Sequence, residues 1–261
     1  MNVRPIRQSV RPSPIFLAIV AITAIGGVIA WQVGFDRSAP LAYVGVFLFV
    51  VFGWLVSLCL HEFGHAYTAW RFGDHDVEIR GYLTLNPLKY SNPMLSLGLP
   101  VLFIALGGIG LPGGAVYVRT SWMTKGQKTI VNLAGPFANV VLAVVLLMLA
   151  RIFADDTDHF VFWAGVAFLG FLQVTAVILN LLPIPGLDGY GALEPHLSPD
   201  TQRQLHPVKQ WGFLILILLL VVPFLNQGFF SIVYWFFDLS GVSSFLVSAG
   251  GQLTRFWSAW F

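Results

Sequence analysis

Residues 41–70 read LAYVGVFLFVVFGWLVSLCLHEFGHAYTAW, an uncharged run of 20 residues that continues directly into a His-Glu-x-x-His motif. Twenty apolar residues are enough to cross the hydrocarbon core of a bilayer as a helix. Ionisable side chains are costly at such a place, so their presence indicates function. On a helix, His61 and His65 share one face and can bind one metal ion, with Glu62 beside them. The stretch therefore predicts a membrane helix that carries half of a zinc-hydrolase site.

The composition indicates whether most of the chain is surrounded by water or by lipid. Of 261 residues, 57% are hydrophobic and 10% are charged, whereas soluble proteins have about 25% charged residues. This predicts an all-α polytopic membrane protein with room for about six spans of roughly 20 residues. The net charge of +2 is too small and scattered to indicate a nucleic-acid partner. The single cysteine, Cys59, excludes an intramolecular disulfide.

Other uncharged runs predict the remaining spans. They cover residues 14–33, 130–150, 160–187 and 210–237, the last of which is interrupted near residues 223–228. A weaker, serine-containing run at residues 239–254 either spans the membrane or lies at its interface. Residues 91–118 are also uncharged, but three prolines and six glycines interrupt them. Such a segment predicts a re-entrant or β-like element between the second and third spans, which membranes tolerate only where protein or a water-filled cavity satisfies its backbone.

The positions of the basic residues predict how the chain is oriented across the membrane. They precede the first, third and fifth spans and follow the second, so all fall on one side if the N-terminus is cytoplasmic. The opposite loops contain Arg37 and Arg151 but also Asp155, Asp156 and Asp158. The His-Glu-x-x-His motif is therefore expected toward the cytoplasmic end of the second span.

A catalytic zinc site typically has three protein ligands, so the two histidines need a partner. Asp188 lies at the end of the fourth span, in NLLPIPGLDG at residues 180–189. Pro183 and Pro185 would unwind the fourth span there, on the same side of the membrane as the histidines. An ordinary turn aspartate before Gly189 is the alternative. The shared depth and side favour Asp188 as the third ligand.

These motifs resemble those of the site-2 proteases, which are intramembrane zinc metalloproteases. The resemblance rests on HEFGH at residues 61–65 and on the N-x-x-P-x-P-x-L-D-G pattern of residues 180–189. NLAGPFAN at residues 132–139 and LTLNP at residues 83–87 support it. It covers about residues 41–195 within a single domain, 1–261, without a PDZ or CBS domain. The resemblance implies one zinc ion held by His61, His65 and Asp188, with Glu62 as the catalytic acid and base.

The third span carries a polar face. Asn132, Gly135 and Asn139 are spaced so that they share one side of a helix, where small residues allow close approach to the zinc helix. Asn139 is the candidate for stabilising the oxyanion of a tetrahedral intermediate. The alternative is a residue that only forms a hydrogen bond between helices.

The resulting functional expectation is an intramembrane endopeptidase of a prokaryotic plasma membrane. Its substrate would be a single-pass membrane protein cleaved near the cytoplasmic side of its span, in contact with the lipid bilayer. Residues 77–85, which have strand-forming character, or residues 115–118 would offer an edge to which the unwound substrate adds. The alternatives are a prenyl-protein-processing type of protease, a metal transporter and a catalytically silent metal-binding scaffold. The sequence predicts no oligomeric state.

Overall fold

The structure, a computed structural model, describes residues 10–90, 104, 116–154 and 157–259. The regular elements of this part are helical, and it contains no strand. The α-helices are α1 (Pro14–Val33), α2 (Pro40–Arg71), α3 (Asp76–Ile79), α4 (Lys125–Phe153), α5 (Phe160–Leu181), α6 (Asp188–Leu193), α7 (Pro199–Leu205), α8 (Gly212–Val221), α9 (Pro223–Asp238) and α10 (Ser244–Thr254). The expected all-α class is confirmed for these residues.

Five helical stretches in the described residues are long and apolar enough to cross a membrane. They are α1, α2, α4, α5 and the continuous stretch Pro199–Val221 that ends with α8. The fifth predicted run is divided, because the chain leaves the helical conformation at Val222 before Pro223 begins α9. The weak last run forms α10, which has only 11 residues. The total of about six spans stays a prediction.

Helix α5 is the centre of the bundle. Most of its apolar window is buried, and its side chains pack against α2, α4 and α10. Helix α4 instead has two distinct faces. Large apolar side chains such as Phe137, Val141 and Met148 are exposed on one, whereas Gly135 and Asn139 are buried on the other. An apolar outer face and a polar inner face are what a helix between lipid and a polar site requires.

Helices α1 and α2 cross at very small separation. A Cβ atom added to Gly45 would lie 2.8 Å from the backbone nitrogen of Ala30, and one added to Gly26 would lie 2.9 Å from the carbonyl oxygen of Gly45. Small residues at such crossings let two backbones come into van der Waals contact. This packing drives helix association in a membrane, because burying apolar side chains away from apolar lipid gains nothing. This contact holds the first span against the helix that carries the two histidines.

The prediction of a strand-like segment at residues 77–85 is wrong. Residues Asp76–Ile79 form α3, and Tyr82–Thr84 form a 3₁₀ turn between Gly81 and Leu85, which both have positive φ angles, 78° and 56°. Thr84 closes this turn by donating from its backbone nitrogen to the carbonyl of Gly81. Tyr82 and Leu83 pack against Ala66 and Trp70 of α2. Buried apolar side chains are typical of strands, but here they are buried against a helix and not in a sheet.

The predicted re-entrant segment, residues 91–118, lies almost entirely outside the described residues. Its last part, from Val116, continues to residue 120 without helix or strand pairing. Val116 and Val118 pack against the cluster that contains Tyr82 and Leu83. The strand edge proposed at residues 115–118 therefore stays a prediction.

The α1–α2 contact generates a prediction about Gly45. We expect Gly45→Ala to destabilise the detergent-solubilised protein by about 1–3 kcal/mol, because the added methyl group overpacks the crossing. The matched control is Gly228→Ala in α9, where an added Cβ meets nothing within 4 Å. That substitution is expected to stabilise its helix by up to about 1 kcal/mol, since alanine is the better helix former. Thermal unfolding of both variants measures the difference, and shifts of equal sign and size would contradict the close-contact explanation.

Candidate metal centre

The two histidines of α2 are buried and direct their Nε2 atoms to the same point. His61 Nε2 and His65 Nε2 are 3.0 Å apart. Asp188 faces both imidazoles: its Oδ2 lies 3.2 Å from His61 Nε2, and its Oδ1 lies 3.3 Å from His65 Nε2. Within the described residues, these three side chains form a group that could hold a metal ion. The structure thus brings together the three ligands predicted from the sequence.

Asp188 reaches the histidines because α5 ends before it. The helix stops at Leu181, the prolines at 183 and 185 lie in the following non-helical stretch, and Asp188 is the first residue of α6. Gly186 has a φ angle of 99°, a conformation that favours glycine and turns the chain back. The Asp188 carboxylate therefore faces both imidazoles from the start of α6.

Helix α4 holds both imidazole rings by hydrogen bonds to their Nδ1 atoms. His61 Nδ1 is 2.5 Å from Asn139 Oδ1, and His65 Nδ1 is 2.7 Å from the carbonyl oxygen of Val131. Carbonyl oxygens can only accept, so each Nδ1 donates and each Nε2 presents a lone pair. Metal-binding histidines commonly have this second hydrogen bond, which selects the tautomer and the ring orientation.

Two glycines allow α2 and α4 to approach at this point. A Cβ atom at Gly135 would overlap His65 Nε2 and would lie 2.6 Å from His61 Nε2. A Cβ atom at Gly64 would lie 2.7 Å from the carbonyl oxygen of Ala134. Any larger residue at these positions would separate the helices or displace the imidazoles, so the site depends on backbone packing as well as on its polar residues.

Glu62 is buried beside the histidines and is held by the chain that precedes α4. Its Oε2 accepts a hydrogen bond of 3.0 Å from the backbone nitrogen of Val116. This segment is anchored farther on, where the backbone nitrogen of Arg119 donates to Asp74 Oδ2 at 2.7 Å. The carboxyl of Glu62 is therefore next to the ligand group but oriented by a different part of the chain.

The three residues predicted to share a face of α4 have different neighbours. Gly135 contacts both imidazoles and Asn139 contacts His61, whereas Asn132 donates to the carbonyl of Lys128 and packs against Gly191. The oxyanion role of Asn139 stays a prediction. Its amide nitrogen donates to Gln173 Oε1 at 2.8 Å, and its oxygen faces His61. Asn139 thus occupies the position of a support for His61.

The sequence analysis did not identify Gln173 or the carbonyl of Val131 as parts of the site. Gln173 could have been found, because an amide in the middle of an otherwise apolar span is costly and needs a partner. A backbone carbonyl has no side-chain signal.

The donor set fits a tetrahedral divalent metal. Ligand atoms about 2.0–2.1 Å from one zinc ion lie roughly 3.3 Å from each other. The two imidazole nitrogens are 3.0 Å apart, and each has one oxygen of the Asp188 carboxylate close by, Oδ2 at 3.2 Å from His61 and Oδ1 at 3.3 Å from His65. Asp188 Oδ2 is buried and accepts no hydrogen bond within the described part of the protein, although His61 Nε2 is its neighbour. Two nitrogen acceptors and a carboxylate at these distances require a positive charge between them.

The sequence of the chain is similar to known proteins of one family. Residues 47–161 match the model of peptidase family M50. The chain is 74% identical over its full length to the full length of a Mycolicibacterium smegmatis protein named "Putative zinc metalloprotease Rip2". It is 65% identical to the protein of the same name from Mycobacterium tuberculosis, with 98% of each chain covered. "Putative zinc metalloprotease YwhC" of Bacillus subtilis is 30% identical over 67% of this chain and 81% of its own length.

No solved structure matches the chain at a significant level. The family follows from the relatives, since the similarity to the first two extends over nearly all of each chain and includes the stretch with the two histidines. The chain therefore belongs to peptidase family M50, the site-2 protease family.

Proposed function

We propose that this protein is a zinc-dependent intramembrane endopeptidase that cleaves a transmembrane segment of a single-pass membrane protein near the cytoplasmic side. The observation that carries the proposal is the convergence of His61, His65 and Asp188, each presenting a lone pair, in an apolar surrounding. The names of the M50 relatives, which describe zinc metalloproteases, support zinc as the metal.

The depth of the site supports cleavage within the membrane. At 1.5 Å per residue, His61 lies about 30 Å along α2 from its first residue, close to the full thickness of the hydrocarbon core. With the N-terminus in the cytoplasm, as the basic residues predict, this is the cytoplasmic side of the membrane. The bacterial sources of the relatives support a prokaryotic plasma membrane.

A zinc ion held by the three ligands would supply a Lewis acid that activates water and polarises the peptide carbonyl. Glu62 is not among the ligands and is free to move a proton. Its carboxylate can accept one from the attacking water and donate it to the leaving nitrogen. Its hydrogen bond from the backbone of Val116 keeps Oε2 in place during this exchange. A chain that only stored metal would have no use for a buried carboxyl at this position.

The alternative functions explain fewer of these features. A transporter would be expected to place further carboxylates or histidines along a path through the membrane, but α1, α4 and α5 contain none. A prenyl-protein-processing design needs a downstream glutamate ligand. Glu194 is the only glutamate after Glu78; it forms an ion pair with Lys209 and is not part of the group that His61 and His65 form. A catalytically silent metal-binding scaffold is the alternative that direct measurement must exclude.

The first of two predictions from this site concerns the third ligand. Purified wild-type protein should retain about one zinc ion per chain, whereas Asp188→Ala should lose most of it, because two imidazoles alone leave the coordination incomplete. Metal content is measured by atomic emission after dialysis. The control is Asp200→Ala, which removes an exposed carboxyl that pairs with Arg203 three residues away. Full zinc retention in Asp188→Ala would remove this residue from the ligand set.

The second prediction separates an enzyme from a scaffold. Glu62→Gln should keep its zinc and its thermal stability, because glutamine still offers an oxygen to the backbone nitrogen of Val116. Hydrolysis should fall by about 10²–10⁴-fold, since an amide cannot transfer the proton. The assay uses a single-span reporter protein with glycines near the cytoplasmic end of its span, reconstituted with the protease in vesicles. Equal amounts of intact reporter with zinc-loaded wild type and with Glu62→Gln would contradict the protease proposal and favour the scaffold.

A further inference from the structure

Gln173 is a buried polar residue that neither the motifs nor the proposed mechanism uses. It lies in the middle of α5, and its side chain is completely inaccessible to solvent. Its Oε1 accepts a hydrogen bond of 2.8 Å from Asn139 Nδ2, whereas its own Nε2 has no partner within the described residues. An apolar side chain would avoid the cost of this unpaired amide. The glutamine therefore needs an explanation beyond packing.

The hydrogen bonds from α5 to the metal centre have a defined direction. His61 can offer its Nε2 lone pair to a metal only if Nδ1 carries the proton, so the group that faces Nδ1 must be an acceptor. Asn139 meets this requirement with Oδ1, which directs its amide nitrogen to the opposite side. The group on that side must then also be an acceptor, and Gln173 provides Oε1.

Without an acceptor at position 173, only His61 Nδ1 would distinguish the two ends of the Asn139 amide, and Nδ1 can either donate or accept. The buried nitrogen of that amide would lose a partner, and rotation of the amide by 180° would present a donor to His61 Nδ1. That orientation favours the tautomer in which Nε2 carries the proton and cannot bind a metal. The amide of Asn139 is symmetrical in shape but not in hydrogen bonding, so its orientation has to be set by its other neighbour.

We propose that Gln173 is a positioning residue of the metal centre: through Asn139, its Oε1 sets the tautomer of His61 and thereby the zinc affinity. The proposal rests on the zinc site inferred above. It assigns a role to a residue about 110 positions from the histidine on which it acts, on a helix that contributes no metal ligand.

The test compares three substitutions in the full-length, detergent-solubilised protein, with zinc affinity measured by competition against a chromogenic chelator. Gln173→Met has a similar length but no acceptor, and we expect zinc binding about tenfold weaker, at the lower end of the effect of losing a ligand's hydrogen-bond partner. Gln173→Glu keeps an acceptor oxygen whether or not it is protonated, so it should bind zinc nearly as wild type does. The control is Thr175→Val, since Thr175 is also fully buried in α5 but donates to the carbonyl of Phe171 in its own helix.

A double-mutant cycle distinguishes positioning from a general loss of stability. In an Asn139→Ala background, Gln173→Met should cause no further loss of zinc affinity, because Gln173 acts only through Asn139. An additional tenfold loss in that background would overturn the proposal, as would wild-type affinity in Gln173→Met. The absorption spectrum of bound Co²⁺ gives a readout independent of hydrolysis, and we expect Gln173→Met to alter it while Thr175→Val does not. Failure of the wild type to bind zinc would instead refute the proposed function.

Discussion

Two imidazole nitrogens and a carboxylate repel one another when they meet within about 3 Å of each other in an apolar interior. His61, His65 and Asp188 meet in this way, and the surrounding structure supplies the forces that keep them there. Helix α2 fixes the two histidines one turn apart. The prolines after α5 bring Asp188 to them, and α4 holds both rings by their Nδ1 atoms. A cation between the three groups would turn this repulsion into binding energy.

The membrane environment explains why the support is so extensive. In water, an imidazole that loses a partner finds another at little cost, but within a bilayer an unpaired polar group has no substitute. The site therefore obtains its acceptors from the backbone of Val131 and from amides that are themselves buried. Close helix packing serves the same end. Gly64 and Gly135 bring the backbone of α4 so near to α2 that not even a methyl group fits at either position.

The sequence predicted the features that depend on local rules. The first span is α1 at residues 14–33, as its uncharged run indicates, and prolines 183 and 185 stop the fourth helix before Asp188. The proposed ligands could be brought together on paper because ionisable residues are rare in apolar runs, and the structure places the three side chains close to one another. Features decided by tertiary contacts were harder. Residues 77–85 have strand-like composition because Tyr82 and Leu83 are buried under α2, and positive φ angles at Gly81 and Leu85 exclude a strand. Gln173 was overlooked because it is uncharged, although its amide faces the same constraint as the charged groups.

A metal shared by His65 and Asp188 would also restrict the unfolded chain. His65 and Asp188 are separated by about 120 residues, and α4 and α5 lie between them. A metal bound at both ends of this interval would close a long loop, as a covalent cross-link does. Closing a loop of that length removes much of the conformational freedom of the unfolded chain. Unlike a disulfide, such a cross-link needs no oxidising compartment and is opened by a chelator. In a chain whose one cysteine is buried, the metal would be the means of joining distant segments reversibly.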